Sequence, residues 1–205
     1  MKLFIDSNHL SPYAMSVFVA LREKGIPFDA IPVDLQAAEH RAPAYGAISA
    51  TRRVPCLDDD GFRLSESSAI CEYLEARYPG TALYPADIRQ RAKAREMQAW
   101  LRSDFVEIRT ERPTECVFLE RSPPPLSSAG REAAGKLFDA VEGLLPQGGH
   151  SLFGQWCIAD TDLALMLNRM LMSGDPVPER LAQYARAQWQ RPSVQAWVKA
   201  ERPVQ

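Results

Sequence analysis

The chain has 205 residues, with 24 lysines and arginines against 26 aspartates and glutamates and a formal net charge of −2. Its 46% hydrophobic and 24% charged content is that of an ordinary globular protein with a core of its own. No global positive field draws it to nucleic acid. The longest apolar runs fall far short of the roughly 18 residues that a membrane helix needs. Met1-Lys2-Leu3-Phe4-Ile5-Asp6 lacks the apolar region and small-residue cleavage site of a secretion signal, so a cytoplasmic location and no membrane partner are expected. Cys56, Cys71, Cys116 and Cys157 are scattered, no CxxC pair exists, and His9, His40 and His150 stand far apart. Neither a disulfide framework nor a metal site is expected; the cysteines read as buried thiols.

The first 80 residues alternate strand and helix signals. Lys2 to Ile5 is a short strand. Ser11-Pro12 then opens a helix, with serine as the cap and proline at the first helical position. Ala14, Val17, Phe18 and Leu21 give that helix one apolar face, and Lys24-Gly25 ends it. Phe28 to Val33 is a second strand, and a strand–helix–strand unit implies parallel pairing. Residues 39–48 read as helical but broken by Pro43. Cys56–Asp59 and Arg63–Ser65 flank Asp60-Gly61, a strong hairpin signal. A helix over Glu66–Tyr78 follows, with Ile70, Tyr73, Leu74 and Arg77 on one side.

Pro79-Gly80 to Pro85 reads as a connection between domains, and no strand is read beyond it. Met97, Leu101, Phe105 and Ile108 recur at steps of 4, 4 and 3, which predicts one long amphipathic helix over 87–112. Arg121 to Pro125 is a loop. Ser128–Leu145 is a helix with Leu137, Val141, Leu144 and Leu145 inward, stopped by Gln147-Gly148-Gly149. Asp160–Met172 is apolar on most of its circumference and reads as a central buried helix; two shorter helices follow near 178–190 and 193–201.

The stretch that carries chemistry is Arg53-Val54-Pro55-Cys56-Leu57 with Leu64-Ser65-Glu66-Ser67-Ser68-Ala69-Ile70. A proline before a short strand fits a cis Val54-Pro55 turn, which frees the Val54 backbone to pair with an extended peptide. Glu66-Ser67 opens a helix whose orphan N–H groups and dipole can hold a carboxylate. Together they describe a receptor for a small acidic peptide.

A Val-Pro turn, a DG hairpin and an ESxAIxxYL helix start, in that order, resemble the glutathione S-transferase family. Ser11-Pro12-Tyr13-Ala14 stands where thioredoxin-like proteins carry a CPYC-type motif, and Ile158-Ala159-Asp160 is similar to the family's buried capping motif. The resemblance covers essentially the whole chain. It implies an α/β thioredoxin-like N-terminal domain over 1–80, a linker over 81–86 and an all-α C-terminal domain over 87–205. It also implies glutathione as co-substrate with no metal, a homodimer, and a small electrophile or organic hydroperoxide as second substrate.

Carried over position by position, the resemblance makes Ser11 the hydroxyl that faces the glutathione sulfur. Val54 pairs with the cysteinyl backbone and Pro55 is the cis proline. Glu66 and Ser67 hold the γ-glutamyl ammonium and carboxylate, and His40 takes the glycine carboxylate, with Arg52 or Arg53 assisting. His9 is a further candidate near the sulfur. Arg102 and Arg109, on a seven-residue repeat with Arg95, either form a solvated face or meet an anionic second substrate. Cys157 departs from the serine or threonine usual at the cap, which shifts capping to Asp160 or Thr161. Ser11 and Ala14 stand where redox relatives carry cysteines, which argues against thiol exchange. A noncatalytic binding module of the same fold is the rival from another class; it predicts loss of the peptide-binding residues, which are all present.

Overall fold

The computed structural model describes residues 1–119 and 121–202. The chain forms two compact units, Met1–Leu83 joined by the chain from Ser193 onward, and Tyr84–Pro192.

The first unit is built on a four-stranded sheet in the order β2-β1-β3-β4. β1 (Lys2–Asp6) pairs parallel with β2 (Asp29–Val33) and antiparallel with β3 (Cys56–Asp59), which pairs antiparallel with β4 (Phe62–Ser65). β1 is central because its residues suit both faces. Leu3 and Ile5 are buried, and Phe4 packs on the opposite face with Val33, Tyr45 and Cys56. β2 carries Pro32, which lacks a donor and sits on an edge strand as the ladder requires. Asp60 and Gly61, at φ 51° and 92°, make the tight β3–β4 turn.

Helix α1 (Pro12–Glu23) buries Ala14, Met15, Val17 and Leu21 against β1 and α3 (Ser67–Arg77). A 3₁₀ turn at Glu39–Arg41 and α2 (Pro43–Gly46) lie between β2 and β3. Lys24 ends α1 with its ammonium inside, 2.9 Å from Glu75 Oε2 and 3.0 Å from the Tyr78 carbonyl, which ties α1 to α3. Gly80, at φ 112°, passes so close that a Cβ there would lie 2.9 Å from the Lys24 carbonyl.

Two residues of the connecting stretch 81–86 are packed. Leu83 and Tyr84 are fully buried, Leu83 giving its N–H to Glu75 and Tyr84 its hydroxyl to Gln98. Residues 193–202 group by their contacts with the first unit. Their apolar spacing says that they form a helix and does not say against what.

The second unit holds α4 (Ile88–Ser103), α5 (Val106–Glu111), α6 (Glu115–Phe118), α7 (Ser128–Leu144), α8 (Ile158–Leu171) and α9 (Glu179–Trp189). α8 is central, touching α4, α5, α6 and α9, with Leu163, Met166, Leu167 and Met170 buried. The single helix expected over 87–112 is two helices. Asp104 ends α4 by accepting from Trp100 Nε1 at 3.0 Å, the Phe105 N–H at 2.8 Å and Lys136 Nζ at 2.5 Å. Phe105 then turns through φ 59° and buries its ring 4.6 Å from that of Trp100. The apolar period survives this break, because Met97, Leu101, Phe105 and Ile108 are all buried on either side of it. Leu144, expected inward, is 39% exposed. α10 (Pro192–Val198) follows α9.

Candidate functional site

The C-terminal end of β1, the start of α1 and the approach to β3 meet in the first unit. Phe4 stands opposite Cys56, so the register brings Asp6 toward Val54. Ser11 caps α1: its Oγ accepts the Ala14 N–H at 3.2 Å while Pro12 occupies the first turn. Capping uses the hydroxyl as acceptor and leaves its proton to donate. The Ser11 and Leu10 N–H groups both go to the Asp6 carboxylate, at 3.0 and 2.5 Å.

The Val54-Pro55 bond is cis. Pro55 is buried and Val54 half-buried. The residue before them is held from below, since Tyr45 Oη and Ser49 Oγ both donate to the Arg53 carbonyl, at 3.0 and 3.3 Å. Ser49 Oγ also lies 2.9 Å from Ser65 Oγ, which joins this turn to β4. Among the described residues, no turn or loop hydrogen bond engages the Val54 amide or carbonyl.

Cys56 pairs with Ser65, so Val54-Pro55 and Glu66-Ser67 sit at the same end of the hairpin. Glu66 is not the first residue of the helix: it stands before α3 at φ 72°, exposed, and the helix begins at the buried Ser67. A glutamate with positive φ is uncommon, and here it sets the turn that takes β4 into α3.

Ser11, Tyr13, His40, Arg41, Arg52, Arg53 and Val54 share one open cleft of about 550 Å³. His40 lies on the 3₁₀ turn, half-buried, with no hydrogen bond to Nδ1 among the described residues. Arg52 is engaged in shaping the loop. It donates to the Arg41 carbonyl at 3.2 Å and lies over Gly46, where a Cβ would come within 3.1 Å of its Nε. Among the described residues, none with a carboxylate side chain lines this cleft.

The remaining candidates lie elsewhere. His9, at φ 51°, packs its ring 4.9 Å from that of Trp197. Burial lowers its pKa below the ordinary 6.5; the nearby Asp6 opposes that shift, while Arg202 adds to it. Arg102 and Arg109 belong to the helical unit and serve its interior. Arg102 pairs with Asp162 at 3.0 Å and donates to the Gln98 carbonyl at 2.8 Å. Arg109 donates to the Leu101 carbonyl at 3.1 Å and to that of Asp104. Cys56, next to the proline, is fully buried with its thiol 3.5 Å from the Ile48 carbonyl; burial pushes its pKa up, so it stays a thiol. Sequence reasoning passed over Asp6, Tyr45 and Ser49, which hold the loops and have no motif to mark them.

Sequence models of the glutathione S-transferase N-terminal domain and C-terminal domain match residues 10–77 and 87–201. The chain belongs to the glutathione S-transferase family. Among solved structures, a glutathione transferase homologue from Burkholderia with bound glutathione is similar at a TM-score of 0.80 and 45% identity, over 97% of this chain and 96% of that one. Glutathione S-transferase 3 of Zea mays is 30% identical over 93% of this chain and 85% of its own length. Maleylacetoacetate isomerase of Pseudomonas aeruginosa is 41% identical over 51% of this chain. That match covers 50% of the isomerase, so the chain spans about half the length of several curated relatives that it matches. No helix among the described residues is long and apolar enough to cross a membrane. No group of three or more His, Cys, Asp or Glu among them is placed to hold a metal ion.

Proposed function

We propose that this protein is a glutathione transferase that binds glutathione in the cleft between Ser11 and Val54 and delivers its thiolate to a small hydrophobic electrophile. The observation that carries this reading is the cis Val54-Pro55 turn with an unengaged Val54 backbone, set beside a serine hydroxyl that caps a helix N-terminus. In this reading Val54 pairs with the cysteinyl backbone. Glu66 and Ser67, adjoining through the hairpin register, take the γ-glutamyl ammonium and carboxylate, and His40 with Arg52 or Arg53 meets the glycine carboxylate. The Ser11 O–H donates to the sulfur, and the N-terminus of α1 favours its negative charge. A free thiol has a pKa of about 8.5, and this arrangement lowers it. Ser11 is a donor and not a nucleophile.

A second reading, a glutathione-dependent isomerase, is favoured by the cationic cleft and by the similarity to maleylacetoacetate isomerase. There the thiolate adds to a cis double bond of an anionic acid, the bond rotates, and the thiolate leaves. A homodimer and a cytoplasmic location are proposed with either reading.

Calorimetry with glutathione tests the binding step. Binding in the millimolar range or tighter is expected, weakened about tenfold or more in Glu66→Gln, where the ammonium loses its charged partner. No binding at millimolar glutathione overturns the reading. Turnover then separates the activities. A chlorinated nitroaromatic consumes glutathione in a transferase, a maleyl acid is isomerised with glutathione unchanged, and cumene hydroperoxide oxidises glutathione in a peroxidase.

A further inference from the structure

The tail of the chain runs beside α1 from one end to the other. Near the C-terminal end of α1, Ser193 Oγ donates to Glu23 Oε1 at 2.5 Å. Along its length Trp197, fully buried, meets the ring of Phe18 edge-on at 5.3 Å. Before its N-terminus the same indole meets His9 at 4.9 Å. Arg202 completes the run. Its guanidinium donates to the carbonyls of Val198 and Ala200 at 2.8 and 3.1 Å, closing the end of α10, and reaches the His9 carbonyl at 3.4 Å.

His9 needs that hold. Its φ of 51° is a conformation that an ordinary residue keeps only when the surroundings impose it. From the strand side Asp6, 5% exposed, takes the N–H groups of Leu10 and Ser11, and its own carbonyl takes that of His9. The loop that ends in Ser11 is therefore gripped by β1 on one side and by the tail on the other.

We propose that Arg202, backed by Trp197, is a positioning residue for Ser11: the tail fixes the loop before α1 so that the Ser11 hydroxyl meets the thiol in one place. The proposal rests on the reading of Ser11 as the group that faces the glutathione sulfur. Arg202 itself touches neither substrate nor sulfur in it. Trp197 is the larger anchor, but its truncation removes a fully buried ring and threatens the fold, so Arg202 is the residue to change.

The experiment uses the full chain with Arg202→Gln, Arg202→Lys, Ser11→Ala and the pair Ser11→Ala/Arg202→Gln. Three quantities are read: glutathione Kd, kcat with 1-chloro-2,4-dinitrobenzene, and the pH titration of the bound thiol by its ultraviolet absorbance. In Arg202→Gln, Kd stays within about twofold, kcat falls about five- to tenfold, and the thiol titrates about 0.5–1 unit higher, since tenfold corresponds to one pKa unit. Arg202→Lys keeps the charge and one donor and recovers most of the loss. On the Ser11→Ala background the same change alters kcat by less than about twofold, because there is no hydroxyl left to place. Arg202→Gln that lowers Tm while leaving the titration and kcat untouched overturns the proposal, as do equal fractional losses on both backgrounds. A silent Ser11→Ala overturns the reading of Ser11 and this proposal with it. A full Ser11→Ala effect beside silent Arg202 variants overturns the positioning role alone.

Discussion

Asp160→Ala measures how much of the helical unit hangs on one buried carboxylate. Asp160 is 0% exposed. Its Oδ2 accepts the Cys157 N–H at 2.8 Å; its Oδ1 accepts the Leu152 N–H at 2.8 Å and the Tyr184 O–H at 2.7 Å. Alanine leaves the two amides buried without an acceptor and Tyr184 with only the long 3.5 Å contact to the backbone carbonyl of residue 160, at about 1–3 kcal/mol each, or about 3–9 kcal/mol together as an upper range. Two effects reduce that sum. Burial pushes the Asp160 pKa up against the lowering effect of its donors, so removing the carboxylate relieves a desolvation cost. Tyr184 and the two amides share one small region, and neighbouring losses do not add. The net expectation is therefore near the lower bound, about 3 kcal/mol, which for a chain of this size is a fall in Tm of about 6–12 °C. Urea unfolding followed by circular dichroism supplies the number, with Asp160→Asn expected near about 2 kcal/mol because one oxygen still accepts. A loss below about 1 kcal/mol in Asp160→Ala refutes the reasoning, since the donors would then be finding other partners at little cost.

Two further outcomes follow from the first unit. Glu75→Gln removes the charged partner 2.9 Å from the Lys24 ammonium, 2% exposed, and leaves it neutral acceptors, the glutamine oxygen and the Tyr78 carbonyl; the expected cost is about 3 kcal/mol in urea unfolding. The pair Lys24→Met/Glu75→Gln, which keeps an oxygen for the Leu83 N–H, costs less than the single change, and equal costs would show that no stranded charge is involved. His9 gives a pH dependence whose sign is fixed by its lowered pKa. As pH falls through about 6.5 the unfolded chain protonates His9 before the folded one does, so the unfolded state binds more protons and stability falls. Stability is complete above that value, and the loss grows until the folded His9 titrates. Urea midpoints at about pH 7.5 and pH 5.5 should therefore differ less in His9→Gln than in the parent chain; an unchanged difference assigns the acid sensitivity to other groups.

The parts of this molecule that were legible in its sequence are the parts that backbone chemistry dictates. Ser11-Pro12 announced a cap, and the hydroxyl is found on the Ala14 N–H. Pro55 before a strand announced a cis turn, and Asp60-Gly61 announced the hairpin that follows. Cys157 at the cap suggests that capping shifts to Asp160 or Thr161, whereas the Cys157 side chain still takes the Asp160 N–H while Asp160 takes the Cys157 N–H at 2.8 Å, the two halves of a capping box. Each is a local rule, in which a residue type is selected by what its own neighbours must do. The break at Asp104-Phe105 escaped because apolar spacing reports which side is buried, and the turn through Phe105 keeps that side buried. An acidic residue favours the start of a helix, which places Glu66 there by sequence, whereas it stands one place earlier at φ 72°.

What no local rule selects is what holds the loop before Ser11. Asp6 looks like the end of a strand, Trp197 like one more apolar position on a helix, and Arg202 like a solvated charge near the end of the sequence. Arg202 and His9 meet across 193 residues of chain. A contact at that separation constrains neither residue's neighbours, so it leaves no spacing, no turn chemistry and no period. Recognition of a peptide by a backbone edge and helix starts is written in short motifs. In the proposed reading, the precision with which the Ser11 hydroxyl faces a thiol depends on tertiary contacts of this kind. The short motifs therefore point more clearly to the ligand proposed for the cleft than to how firmly the loop before Ser11 is held.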